Sequence, residues 1–388
     1  MPRAVWTLSS VTFLTTMGFG VVGPALPSLA DLFQISVTAA SIAISGFAAF
    51  RLMANIGFGG LLKHWRLRTV LFYGLLLQAG CSLLTGVAPD GTTFLVFRSI
   101  SGLGSAALTV SATAILIALV PAPLRGRGMS VYFAASSLGA ISNPAVGGFL
   151  ATYGARAPLL FYGAVLFAGA MIAFFALRSA KDIRTADADG APGDDVSTWT
   201  RARSLLSHPL FIAVLCCHVA VGWALYGLRT STVPLYLGSI GFTAAAIGMF
   251  MSIGAVTQVF SSLTTGSASD RLGRGRPLIL GLIAGSIAFV IVGATDNSAL
   301  IVASFVLMGL AGGALSSVPG AMLGDVPYGG SGVGVALYWS VFDIAAIIGP
   351  MVSGVIADNH GFSPALLTAL GPLTLALGAT VFAVRKRA

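Results

Sequence analysis

Long apolar stretches separated by short polar ones leave this chain one kind of environment to fold in. A helical bilayer crossing needs about 20 predominantly apolar residues. The sequence supplies twelve such runs, at residues 4–30, 37–62, 69–88, 92–119, 129–151, 158–178, 210–237, 243–266, 277–295, 298–322, 331–357 and 363–384. Charged residues make up only 9% of the 388, against about 25% in an average soluble protein. So few charges cannot clothe a globular surface, and much of the exterior must face lipid. The expected fold class is an all-α membrane protein with twelve transmembrane helices. A second apolar run follows the first almost at once, which marks the first as a retained helix and not a cleaved leader.

The net charge of +9 comes from 21 basic residues against twelve acids, all of them Asp. Seventeen of the basic residues fall at the N-terminus, in the even-to-odd loops, between the sixth and seventh runs, or at the C-terminus. The opposite face has Arg156 alone, and Arg51, Arg98 and Arg229 lie within runs. Such asymmetry is the positive-inside pattern, so both termini are expected in the cytoplasm of a cell whose inner membrane holds the protein. It accounts for the basic balance without a nucleic-acid partner. Cys81, Cys216 and Cys217 all sit in apolar runs, where thiols act as packing groups. His64, His208 and His360 have no metal-ligand spacing, and His218 reads as a polar residue satisfied within the seventh helix. The "GLAGGA" stretch at 309–314 follows no strand and precedes no GK[ST], so it serves helix packing and not nucleotide binding. No nucleophile–base constellation is present. No cofactor, metal or enzymatic activity is expected.

The chain repeats itself. Gly74 matches Gly281 and Gly102 matches Gly309 at an offset of 207; Val120-Pro121 matches Val326-Pro327 and Asn143-Pro144 matches Gly349-Pro350 at 206. A register held over four helices means a six-helix unit used twice. The expected domains are residues 1–178, a polar cytoplasmic linker at 179–209, and residues 210–388. Two parallel repeats rocking about a midplane site describe a secondary transporter.

Three motifs then resemble the major facilitator superfamily. "GSASDRLGRGRP" at 266–277 resembles its inter-helix signature; "FRSISGLGSAA", with Arg98 and Gly102, resembles its fourth-helix motif. "GAISNPAVGG" at 139–148, with Gly139, Asn143, Pro144, Gly147 and Gly148, resembles the fifth-helix packing motif of drug:proton antiporters, and Gly349 and Pro350 repeat part of it. The resemblance implies two pseudo-symmetric six-helix halves and a loop Asp in each half that latches onto the other. Asp270 keeps that role, flanked by Arg271 and Arg274, with Arg125, Arg127 and the helix start near Gly128 as its implied partners. The first half departs from the pattern, with Lys63 in place of the Asp. A latch of reversed sign, Lys63 with Asp325, is the expectation there.

A charge at mid-bilayer costs about 2.5–3.5 kcal/mol and needs a reason. Arg51 and Asp343 each lie about 21 Å from one membrane face by helical rise, and the resemblance puts their helices side by side. They are the expected proton-coupling pair, Asp343 taking the proton and releasing Arg51. Arg98 and Arg229 lie at matched shallower depths, and Trp223 and Tyr226 recur at three-residue spacing from Arg229. These four are the expected substrate-binding residues, on one stripe of the seventh helix and on the fourth. The sequence thus predicts a monomeric transporter with a small amphipathic or drug-like substrate and protons as its partners, working by efflux. The rivals are an uptake symporter or facilitator for a small organic anion and, remotely, a membrane sensor or enzyme.

Overall fold

The computed structural model describes residues 3–61, 65–119, 125–176, 203–326 and 332–385, and nearly all of them are helical. The helices are α1 (Arg3–Phe19), α2 (Val22–Phe33), α3 (Val37–Leu61), α4 (Leu67–Gly86), α5 (Gly91–Leu119), α6 (Arg125–Ala151) and α7 (Ala157–Ala176). After the linker come α8 (Pro209–Ala220), a π-helical segment (Val221–Leu228), α9 (Thr232–Ser239), α10 (Ala244–Leu272), α11 (Gly275–Ala294) and α12 (Ser298–Gly324). The last three are α13 (Gly332–His360), α14 (Phe362–Leu367) and α15 (Leu370–Arg385). Among the described residues, eleven spans are long and apolar enough to cross a membrane. The twelfth expected run corresponds to α6, whose 27 residues suffice in length but include the serines, glycines and Asn143 of the packing motif.

The backbone packs as two compact units. The first comprises Met1–Ile35, Gly46–Pro192 and Thr243–Met249; the second comprises Ser36–Ser45, Gly193–Phe242 and Phe250–Ala388. The first turns of α3 thus belong with the second unit, and those of α10 with the first.

Inside each unit the repeat returns as the same contact. A Cβ placed on Gly74 would lie 2.6 Å from that of Ala107, and one on Gly281 would lie 2.6 Å from that of Ala314. Both pairs keep the 207 offset. At Gly102 a side chain would overlap the carbonyl of Phe47, while at Gly309 one would lie 2.5 Å from the carbonyl of Gly254. Lipid tails are as apolar as leucine, so helices in a bilayer associate by close backbone approach, and small residues permit it.

The first helix of each unit is broken, and proline explains where. Pro24 cannot donate to the carbonyl four residues earlier, and α1 stops at Phe19 before α2 begins at Val22. Pro234 likewise leaves the Thr230 carbonyl without its helical donor. There α9 begins after Ser231, whose backbone leaves helical values at φ −120°, ψ −75°. Hydroxyls fold back over the interrupted turn: Thr230 Oγ1 donates to the Tyr226 carbonyl at 2.6 Å, and Ser231 Oγ to that of Gly227 at 2.9 Å.

Candidate functional site

Each broken helix is held by the motif-bearing helix of its own unit. In the first unit α6 lies against α1: a Cβ on Gly139 would lie 2.6 Å from the Phe13 carbonyl, and one on Gly147 would lie 2.5 Å from Val21 Cα. Asn143 stands where the antiporter motif that this stretch resembles has glycine. Its side chain fills the space left by Gly20, and its Nδ2 donates to the Thr16 carbonyl at 3.1 Å, beside the break. The departure from the motif is therefore a specific bond to an interrupted helix. Gly20→Ala should destabilise by about 1–3 kcal/mol through overpacking, and Asn143→Ala in the same chain should recover part of that loss. Thermal unfolding in detergent reads both; an equal penalty for Gly20→Ala in either background would show that the residues do not share this space.

In the second unit α13 lies against the π-helical segment. A Cβ on Gly349 would lie 3.0 Å from Trp223 Cα, and one on Gly227 would lie 2.9 Å from Pro350 Cδ. A side chain on Gly222 would overlap the Phe342 carbonyl, next to Asp343. A buried hydroxyl pair, Thr232 with Ser353 at 2.5 Å, continues the seam.

The π-helical winding changes what the three-residue spacing was expected to produce. Its i→i+5 bonding winds more slowly than an α-helix, so Trp223, Tyr226 and Arg229 do not share one stripe. Trp223 packs on Gly349 and reaches Thr368 of the α14 end at 3.5 Å. The Tyr226 ring lies 5.4 Å from that of Phe342 on α13. Arg229 turns to α10, where Nη1 donates to Gln258 Oε1 at 3.0 Å and Nη2 to the Met251 carbonyl at 3.5 Å. Only 7% of Arg229 is exposed, and both of these acceptors are neutral. Gly254 leaves room for the guanidinium, since a Cβ there would lie 3.2 Å from Nη2.

Arg98, 3% exposed, is enclosed in the first unit. Its guanidinium lies 4.6 Å from the centre of the Phe47 ring on α3, and Nη1 reaches Ser101 Oγ at 3.4 Å. A cation over an aromatic face in a dry setting contributes about 2 kcal/mol. Arg51 lies farther along α3 in the same unit. Asp343 is 3% exposed on α13 in the second unit, and among the described residues it is the one buried carboxylate.

His218 departs from expectation. It is 4% exposed and stacks on Tyr338 at 3.5 Å between ring centres, with Trp339 and Phe342 at 5.5 and 5.7 Å. Neither ring nitrogen has a hydrogen-bond partner among the described residues, and α13 meets the imidazole with aromatic rings.

The residues of the two expected latches fall only partly within the described residues. Lys63 lies outside the described residues, as do the side chains of Asp270, Arg125 and Arg127. Arg271 is exposed. Asp325 receives Arg274 in a two-pronged pair, Nε to Oδ2 at 2.6 Å and Nη2 to Oδ1 at 3.2 Å, each side chain 30% exposed. Pairs this open contribute about 0–1 kcal/mol.

Sequence reasoning missed Gln258, although the repeat held a signal for it: the 207 offset carries Arg51 onto Gln258. A position of charge in one half thus became, in the other, the acceptor for a charge on a neighbouring helix.

Many apolar membrane-length helices, a duplicated unit, proline-broken helices seated on glycine seams and charges sealed at membrane depth together describe a multi-pass membrane transporter. The family model described as Major Facilitator Superfamily matches residues 8–243 and 214–388, and the chain belongs to that superfamily. It is 24% identical over 368 residues to Multidrug resistance protein 2 of Bacillus subtilis (strain 168), covering 92% of this chain and 90% of that one. It is 26% identical over 363 residues to Multidrug resistance protein MdtG of Salmonella choleraesuis (strain SC-B67), covering 90% and 87%. Among solved structures, the nucleoside transporter NupG superposes with a TM-score of 0.76 at 14% identity, covering 99% of this chain and all of that one. A bacterial homolog of the human lysosomal transporter Spinster, inward-facing and unoccupied, gives 0.74 at 17% identity, covering 99% and 95%. At those identities the structures establish the fold alone.

Proposed function

We propose that this transporter exports a small amphipathic or drug-like molecule across the inner membrane in exchange for protons, with both termini in the cytoplasm. The observation that carries the reading is Asp343, a carboxylate sealed in the middle of a membrane-length helix. Burying its charge is costly, so protonation and deprotonation there have a strong reason to be tied to a change of surroundings. The direction of transport draws on the names of the two multidrug resistance relatives, and Arg51 is the proposed countercharge. Inverted membrane vesicles given an inward-acid proton gradient should accumulate a fluorescent amphipathic probe in an expression-dependent way. Accumulation that persists after the gradient is collapsed would overturn the proton coupling.

A second reading, uptake of an organic anion, is favoured by Arg229, whose acceptors Gln258 and Met251 are both neutral. Under either reading, the cations at Arg98 and Arg229 disfavour strongly cationic substrates. A permanent dication should move about tenfold more slowly than a neutral analogue, since one unscreened charge pair at this range is worth more than 1 kcal/mol. Arg229→Gln should narrow that gap in a vesicle transport assay. Equal rates for the two compounds, unchanged by the substitution, would show that Arg229 does not sense substrate charge.

A further inference from the structure

The start of α3 carries a contact that neither the motifs nor the transport chemistry accounts for. The first backbone N–H groups of any helix lack partners within it. Here Ser36 supplies one, its Oγ accepting from Ala39 N at 3.2 Å. Two more are taken by a residue over three hundred positions away: Val37 N donates to Asp358 Oδ1 at 3.0 Å and Thr38 N to Asp358 Oδ2 at 2.9 Å. One turn earlier on α13, Gly354 lets the backbones abut, since a Cβ there would lie 2.9 Å from Thr38 Cα and 3.1 Å from Ser41 Oγ. Asp358 and Gly354 thus form one face of α13, gripping α3 by charge at its tip and by close packing below.

The internal repeat provides a built-in comparison. At an offset of 207 Ser36 becomes Thr243, and at 206 Asp358 becomes Thr152. The counterpart junction has the same architecture: Thr243 Oγ1 accepts from Ala246 N at 3.3 Å, and a Cβ on Gly148 would lie 3.1 Å from Ala245 Cα. It has no acid, however. Thr152 turns its hydroxyl back to the Phe149 carbonyl at 2.7 Å. Close packing and a local cap are therefore enough to build such a junction, and the carboxylate at the other one is additional to them.

We propose that Asp358 is a one-sided clasp on the membrane face opposite the arginine-rich loops, holding the first turns of α3 on α13 and releasing them in each transport cycle. The physical logic is that of α3 itself. Its first turns, within Ser36–Ser45, belong to the second unit, and the rest of the helix belongs to the first. In alternating access the two repeats move against each other, so a helix shared between the units must leave one of them. A carboxylate on helix N–H groups suits that duty, because its attraction is directional and fades within a turn. The clasp's place in the cycle rests on the transport reading; the contact does not.

The test uses the full chain with Cys81, Cys216 and Cys217 changed to Ala and Ser41→Cys as reporter. Ser41 is fully buried against α13, so a membrane-impermeant maleimide added to intact cells labels it only when α3 departs. Asp358→Asn should raise the labelling rate about threefold, Asp358→Glu should restore it, and Thr152→Ala should leave it unchanged. In a second arm, Val37→Cys with Asp358→Cys is joined by a short cleavable thiol crosslinker, which should stop transport until it is cleaved. If Asp358→Asn does not accumulate, the Ser41→Cys chain that keeps the acid decides the matter: a chain that transports while Ser41→Cys is never labelled overturns the clasp. Unchanged labelling in Asp358→Asn, or full transport by the crosslinked protein, overturns the clasp. Labelling needs no substrate, so a chain that moves nothing yet shows the labelling change would sink the transport reading and leave the clasp standing.

Discussion

Asp343→Asn should reduce gradient-driven transport by at least about a hundredfold, to the background of empty vesicles, while substrate binding or exchange stays within a few-fold of the parent. Asparagine has nearly the shape of a neutral carboxyl but cannot lose a proton. It therefore fixes the helix in one protonation state without creating a cavity. Burial decides the size of the effect: at 3% exposure the Asp343 side chain is shut off from solvent. If Arg51 is its countercharge, Arg51→Ala alone should cost about 3–5 kcal/mol of stability by leaving a buried anion uncompensated, and the double variant should cost less. Normal pH-dependent accumulation by Asp343→Asn would remove the acid from the mechanism. Additive losses in the double-mutant cycle would separate Arg51 from it.

Gly222→Val should be the most damaging packing change in the second unit. Its side chain would meet the Phe342 carbonyl oxygen, and Ala345 Cβ lies 3.0 Å from the position of a Cβ there. Backbone cannot step aside as a rotamer can. The π-helical segment and α13 would have to separate, at a cost of about 3 kcal/mol or more, and the displaced carbonyl immediately precedes Asp343. Folded yield and transport should therefore fall together, with transport falling further in whatever protein survives. Gly378→Val on α15 is the control, because a Cβ there meets nothing within 4 Å. Equal behaviour of the two variants in yield and transport would show that the seam tolerates separation.

Apolar run length and the scarcity of charge made the helical membrane class legible, because a bilayer imposes a minimum span and forbids unpaired backbone. The repeat was legible as well, and its glycines proved to be the same contacts made twice, Gly74 on Ala107 and Gly281 on Ala314. What escaped was the direction of individual side chains on the seventh span. A spacing of three was projected onto an α-helix, but Val221–Leu228 winds as a π-helix, and Arg229 went to Gln258 instead of joining Trp223 and Tyr226. The π-wound segment packs on the Gly349–Pro350 seam of α13, a contact between residues more than a hundred positions apart that no local spacing encodes. The role of Asn143 escaped for a related reason: its amide answers a carbonyl on α1, 127 residues away in sequence. The cap that Asp358 places on α3 lies beyond any window-based reading.

The exchange of segments Ser36–Ser45 and Thr243–Met249 between the units bears on how the protein could have been assembled in evolution and in the cell. Duplication of a six-helix gene would ordinarily give two modules joined like beads, each complete after its own stretch of synthesis. Here neither bead is closed when its last helix emerges, for each lacks a short piece encoded in the other half. Gly148 of α6 packs on Ala244 and Ala245 of α10, so that seam has no partner until α10 has been made. Mutual incompleteness of this kind means that either half made alone would leave one glycine seam without the segment that packs on it.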